Sequence, residues 1–138
     1  MDAEPVAEST RAMLAGDHAT KALGIEVDSA VDGRAAVRMT VTPAMVNGHG
    51  MAHGGYVFLL ADTAFACACN SRGPVTVAAG AEISFTASAY EGEQLHAEAV
   101  ERTRYGRSGI YDVTVRRGPG PDDEVIAEFR GRSRALRS

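Results

Sequence analysis

The chain has 138 residues, 45% hydrophobic and 23% charged, the size and balance of one globular domain with its own core, which excludes a disordered chain. Fourteen basic against eighteen acidic residues give a net charge of −4, which argues against a general nucleic-acid binder. No apolar run approaches the roughly 20 residues of a membrane span, and the acidic start M-D-A-E-P-V-A-E lacks the basic stretch of a signal peptide, so a cytoplasmic protein with no membrane partner is expected.

The pattern from Pro5 to about Leu23 predicts a helical segment within residues 1–23, with Val6, Met13 and Leu14 on an uneven apolar face and Gly24 as its stop. Ile25 to Val31 and Arg34 to Val41 read as two strands, joined by Asp32-Gly33, a strong tight-hairpin signal. Pro43 to Met51 is a loop. Gly54 to Asn70 is a helix with almost no polar face, and a helix that is apolar all round has to be covered on every side. Its cysteines, Cys67 and Cys69, point to different faces and are expected as buried free thiols, as in a reducing compartment. Arg72-Gly73-Pro74 ends the helix.

The remainder reads as strands: Val75 to Ala89, Gln94 to Arg104, Gly109 to Arg117 and Val125 to Ala135, with turns at Glu91-Gly92, Tyr105-Gly106 and Gly118 to Asp123. The basic stretch Arg130 to Arg137 is expected as a solvated edge strand, and the acidic Asp122 to Glu124 as a solvated turn. His18 and His96 are expected at the surface. A hairpin, a long buried helix and a run of antiparallel strands fit one α+β architecture: a curved antiparallel sheet wrapped around one central helix, preceded by an N-terminal helix, the hotdog fold. A sheet this small cannot enclose the helix completely, so a second copy is expected to close the open side.

The segment N-G-H-G-M-A-H-G-G-Y-V-F-L-L-A-D, Asn47 to Asp62, carries the chemistry. Backbone N–H groups at a helix start have no intrahelical partner and can receive an oxyanion, which puts Gly54 and Gly55 in that role. Asp62, two turns on, is a carboxylate among apolar neighbours, costly unless it has a task. Donors and a poised acid together suit acyl-group hydrolysis. Gly54 and Asp62 lie eight residues apart, roughly 12 Å along a helix, whereas both must come within about 3 Å of one reacting carbonyl. Two antiparallel helices about a two-fold axis satisfy this, with two sites at the interface of a homodimer. His49 and His53 have zinc-like spacing but lack the glutamate of a H-E-x-x-H helix, so no metal site is expected.

The same segment, followed by L-A-D-T-A-F-A-C-A-C-N-S, resembles the phenylacetate-pathway (PaaI-type) acyl-CoA thioesterases of the hotdog superfamily. A-L-G-I near Leu23, T-V-T-P before Asn47, G-I-Y-D-V near Tyr111 and F-R-G at Phe129 extend the likeness over nearly the whole chain. The resemblance implies that Asp62 is the catalytic carboxylate and that the Gly54 N–H polarises the thioester carbonyl. It further implies that Asn47 places the water or thioester, that His53 flanks the oxyanion site, and that Thr63 orients the acid. Gly106, Arg107 and Ser108 fall where relatives approach coenzyme A. Gly80 departs from the pattern, standing where some relatives carry a hydroxyl. The resemblance also implies an aryl-acetyl-CoA substrate, no cofactor beyond the coenzyme A of that substrate, and dimers pairing into a homotetramer. By the residues alone, Asn47-Gly48 also reads as a turn and His53 as a helix cap. A hydroxyacyl-thioester dehydratase and a non-catalytic acyl-CoA-binding protein stay open as alternatives.

Overall fold

A computed structural model describes residues 5–136; the acidic Asp2 and Glu4 and the basic Arg137 lie outside the described residues. Six strands form one antiparallel sheet in the order β1-β2-β4-β5-β6-β3: β1 (Glu26–Val31), β2 (Arg34–Thr40), β3 (Thr76–Phe85), β4 (Gln94–Tyr105), β5 (Ser108–Arg116) and β6 (Val125–Ala135). Helix α3 (Gly54–Asn70) packs against every strand. The β1–β2 hairpin turns at Asp32 and Gly33 with φ of 52° and 78°, the left-handed pair that a two-residue turn requires.

The inward face of the sheet is apolar because its strands alternate. Leu95, Ala97 and Ala99 of β4 and Tyr111, Val113 and Val115 of β5 are buried against α3. Gly131 of β6 has a packing reason: a Cβ there would stand 2.7 Å from the Phe65 ring. That ring is held between Tyr111 and Phe129, at centroid distances of 5.6 and 5.8 Å. Both thiols are buried and free, and burial pushes each up to about 12.

Three features differ from expectation. The N-terminal helical segment is broken into α1 (Glu8–Ala15) and α2 (His18–Ala22), because Asp17 caps the second piece by accepting from Thr20 N (3.0 Å). β6 is not an edge strand: it lies between β5 and β3, and its arginines 130, 132 and 134 alternate on the outer face, where Arg130 pairs with Asp112 and Arg132 with Glu82. β3 ends at Phe85 and carries a bulge: Ala78 faces Ser133 and Gly80 faces Arg132, leaving Ala79 as the extra residue. Thr76 and Ala78 before the bulge, and Ala81, Ile83 and Phe85 after it, share the inward face with their β6 partners.

The junction of α3 and β3 is clamped by one side chain. Asn70 donates to the carbonyls of Ala66 (2.9 Å) and Thr76 (3.0 Å) and accepts from Thr76 N (3.0 Å). Asn70→Ala is expected to cost about 2–3 kcal/mol, about 1 kcal/mol for each bond lost, read as a lower urea midpoint at unchanged slope.

Candidate active site

The uniformly apolar helix is not uniformly covered. Gly55, Phe58, Leu59, Asp62 and Ala66 retain exposure along one stripe at helical spacing, while Leu60, Ala61, Ala64 and Ala68 are fully buried. Asp62 lies in the middle of that stripe and opens into a cleft of about 570 Å³. The cleft is bounded by Ser9, Ala12 and Met13 of α1, by α3 from Asp62 to Asn70, and by residues 75–78 at the start of β3. Among the described residues, Asp62 is the only carboxylate in this lining. Burial pushes its pKa up, and the Asp17 carboxylate adds to the shift.

Asp17 approaches because α2 is packed onto the back of α3. Thr20 Oγ1 donates to Asp17 (2.7 Å) and lies 3.4 Å from Thr63 Oγ1, both threonines buried. With the Thr20 proton committed to Asp17, Thr63 donates to Thr20. Thr63 therefore stands behind the acid, next to it in sequence, and its hydroxyl faces α2 rather than the cleft.

The remaining residues of the motif gather at the other end of α3. The Asn47 carboxamide oxygen accepts from His49 N (2.8 Å) and Met51 N (3.2 Å), so it shapes the loop and leaves its NH2 group as the available donor. His53 occupies the N-cap position, but its side chain makes no capping bond and the residue is exposed, which corrects the capping alternative. Its carbonyl accepts from Tyr56 N (3.0 Å). Gly54 and Gly55 start the helix, where N–H groups lack intrahelical partners. Gly54 is pressed against Phe85 at the end of β3: a Cβ would stand 2.8 Å from the ring. Within one chain, none of Asn47, His53, Gly54 and Gly55 lines the cleft that holds Asp62.

Gly106, Arg107 and Ser108 form the β4–β5 turn, with φ of 59° at Gly106. They line a second cleft of about 170 Å³ with Arg72 and Arg104, and Cys69 and Thr76 border both clefts. Arg72 is held there by a two-bond pairing with Glu101 at 3.0 Å each, and its guanidinium keeps the Glu101 carboxyl below the usual carboxylate range. Gly80 faces the Arg132 guanidinium, 3.0 Å from where a Cβ would stand, so a side chain there requires that half-exposed guanidinium to shift.

A model of the thioesterase superfamily matches residues 49–123, from the motif through β5. This chain belongs to the thioesterase superfamily. It is 41% identical over 129 residues to the acyl-coenzyme A thioesterase PaaI of Escherichia coli (strain K12), covering 94% of this chain and 90% of that one. The solved structure of the E. coli PaaI protein from the phenylacetic acid degradation operon superposes with a TM-score of 0.87 over 94% of this chain and 91% of that chain, at 41% identity. A variant of the phenylacetic acid degradation protein PaaI from Thermus thermophilus superposes with a TM-score of 0.80 at 34% identity, over 87% of this chain and all (100%) of that one. The hotdog fold expected from the sequence is thus the fold of these thioesterases.

The raised Asp62 pKa has a stability consequence. A carboxylate that is harder to ionise folded than unfolded takes up protons on folding, so its share of stability falls as pH rises from the ordinary carboxylate value through the raised one. Asp62→Asn is expected to raise Tm at pH 7, with the gain vanishing as pH falls below the ordinary carboxylate value, as followed by thermal melts across pH.

Proposed function

We propose that this protein hydrolyses acyl-CoA thioesters, with aryl-acetyl-CoA such as phenylacetyl-CoA or hydroxyphenylacetyl-CoA as the substrate class. The observation that carries the reading is Asp62: a carboxylate with raised pKa that, among the described residues, has no hydrogen-bond donor on it and no other charged group in its cleft. A higher pKa makes the carboxylate a stronger base toward water while solvent and cleft keep it accessible. The aryl-acetyl class is supported by the likeness to PaaI of the phenylacetic acid degradation operon and by the neutral lining.

The complete site is composed of two copies. β3 is an edge strand with a free hydrogen-bonding side, and Val77 and Phe85 on it are exposed, which is a hazard in a monomer and an invitation to pairing. α3 and β3 run in opposite directions, so the start of β3 borders the Asp62 cleft while its end touches Gly54. Antiparallel pairing of β3 with its copy, centred near Gly80 and Ala81, sets Phe85 of one copy opposite Thr76 of the other. That carries the partner's Gly54 toward Asp62. The homodimer then has two interface sites, and a dimer of dimers gives the homotetramer.

In such a site the Gly54 N–H, seconded by Gly55 and the helix dipole, receives the carbonyl oxygen as negative charge develops. Asn47 and His53 flank that donor, and Thr63 backs the acid. Asp62 takes a proton from the attacking water, or attacks the carbonyl carbon itself to give a mixed anhydride that water then opens. The coenzyme A thiolate departs, its remaining body lying toward Gly106, Arg107 and Ser108. One domain spanning residues 1–138 in the cytoplasm, with no cofactor or metal, completes the proposal.

Coenzyme A release from phenylacetyl-CoA is expected for the wild type and expected to fall about 10²–10⁴-fold in Asp62→Asn. Release unchanged by that substitution, or tight acyl-CoA binding with no release, sinks the reading. Dialysis against a chelator is expected to leave the rate unchanged. Gly54→Pro deletes the N–H at a helix position that tolerates proline and should cost about 10²–10³ in kcat, with Phe85 swinging aside. Co-expressing the Asp62→Asn and Gly54→Pro chains is expected to restore activity, because one of the two sites in each mixed dimer has both groups intact. Mixed dimers as inactive as their parents would place both groups within one chain.

A further inference from the structure

Resting on the thioesterase reading, we propose that Met13 of α1 is the specificity-determining residue of the Asp62 cleft, a movable wall that sets how large an uncharged acyl group the enzyme accepts. The three sides of the cleft differ in how far they can yield. Along α3 the wall is Ala66 and Cys69, short side chains on a helix held by every strand of the sheet. Phe65 beside them is fixed by Tyr111, Phe129 and the space left at Gly131. Along β3 the wall includes Val75 and Val77, which are stiff at χ1.

The α1 side has a fixed backbone and one adaptable side chain. Ser9 Oγ donates to the Asn70 carbonyl (2.6 Å) and Thr10 Oγ1 to the Cys67 carbonyl (3.0 Å). Just before the helix, Ala7 N donates to the Ala30 carbonyl (2.8 Å), tying the segment to β1. Helix α1 is therefore bolted to the last turns of α3 and does not open as a flap. Met13, half-buried and unbranched with three rotatable bonds, is the part of this wall that reshapes at low cost. Within one chain the cleft measures about 570 Å³ and is open on the side where the second copy is placed, so among the walls this chain supplies it is Met13 that can fold over an entering group. Among the described residues no charged group but Asp62 lines the cleft, and the Cys69 thiol is pushed up to about 12, so the group that enters is neutral.

The test compares phenylacetyl-CoA with the bulkier naphthylacetyl-CoA on the full-length protein, wild type beside Met13→Ala and Met13→Phe. Met13→Ala is expected to raise the naphthylacetyl-to-phenylacetyl ratio of kcat/KM about tenfold, and Met13→Phe to lower it by a similar factor. Ala12→Phe, at an exposed position on the same wall, lowers the ratio without touching the core and serves if Met13→Phe does not fold. An unchanged ratio, with both substrates slowed together, overturns the proposal and leaves α1 a scaffold. If the wild type cleaves no thioester, the hydrolase reading falls, and the same ratio taken from binding affinities still tests the wall.

Discussion

The constraint on which the rest depends is a mismatch between one helix and one sheet. Helix α3 is apolar around almost its whole circumference, yet six strands and the two N-terminal helices together leave one stripe of it exposed. Leaving a stripe of Phe58, Leu59 and Ala66 in water is unfavourable, and placing a carboxylate in that stripe adds a desolvation cost that the chain offsets nowhere among the described residues. Asp17, brought close by the second N-terminal helix, makes the acid harder to ionise still. Stability would be served by an amide or an alanine at position 62, and the proposed role as a base gives the costly carboxylate its reason.

The supporting structure keeps that costly group where it is. Asn70 fastens the end of α3 to the start of β3, the hydroxyls of Ser9 and Thr10 fasten α1 to the same turns, and Thr63 meets Thr20 behind the acid. By contrast, the many arginine–carboxylate pairs on the outer face of the sheet lie in solvent and contribute little each. The rigid part of the molecule is thus the contact between helix and inner sheet face, and the glycine-rich loop before α3 is shaped separately, by the Asn47 carboxamide.

Much of this was legible in the sequence, and the reasons are local. Helix α3 runs from Gly54 to Asn70 as its pattern predicts, and Asp32-Gly33 turns as its residues require, because both are decided by neighbours in the chain. The strands alternate as read, but alternation reports which face is buried and not which strand lies alongside, so the basic final strand, expected at an edge, lies inside the sheet. The N-terminal break has a local signal, Gly16-Asp17, which an uneven apolar face obscured. The approach of Asp17 to Asp62, the Arg132 guanidinium over Gly80 and the place of Met13 on the cleft wall have no local signal at all. They join residues far apart in the chain, and only the packing of α1, α2 and β6 brings them together.

The extra residue in β3 has a consequence of phase. Before Ala79 the even-numbered residues face the helix; after it the odd-numbered ones do. The bulge absorbs the extra residue so that one strand still meets both ends of α3, with Thr76 in step with the acid end and Phe85 in step with the glycine end. Deleting Ala79 would leave an unbroken ladder with Ala81, Ile83 and Phe85 still facing their β6 partners, whereas a one-residue slip of the pairing beyond the bulge would turn every later side chain over, presenting Glu82 and Ser84 to the core. The strand therefore carries one residue of slack, at Ala79: its length can fall by one there without changing which face any later residue presents.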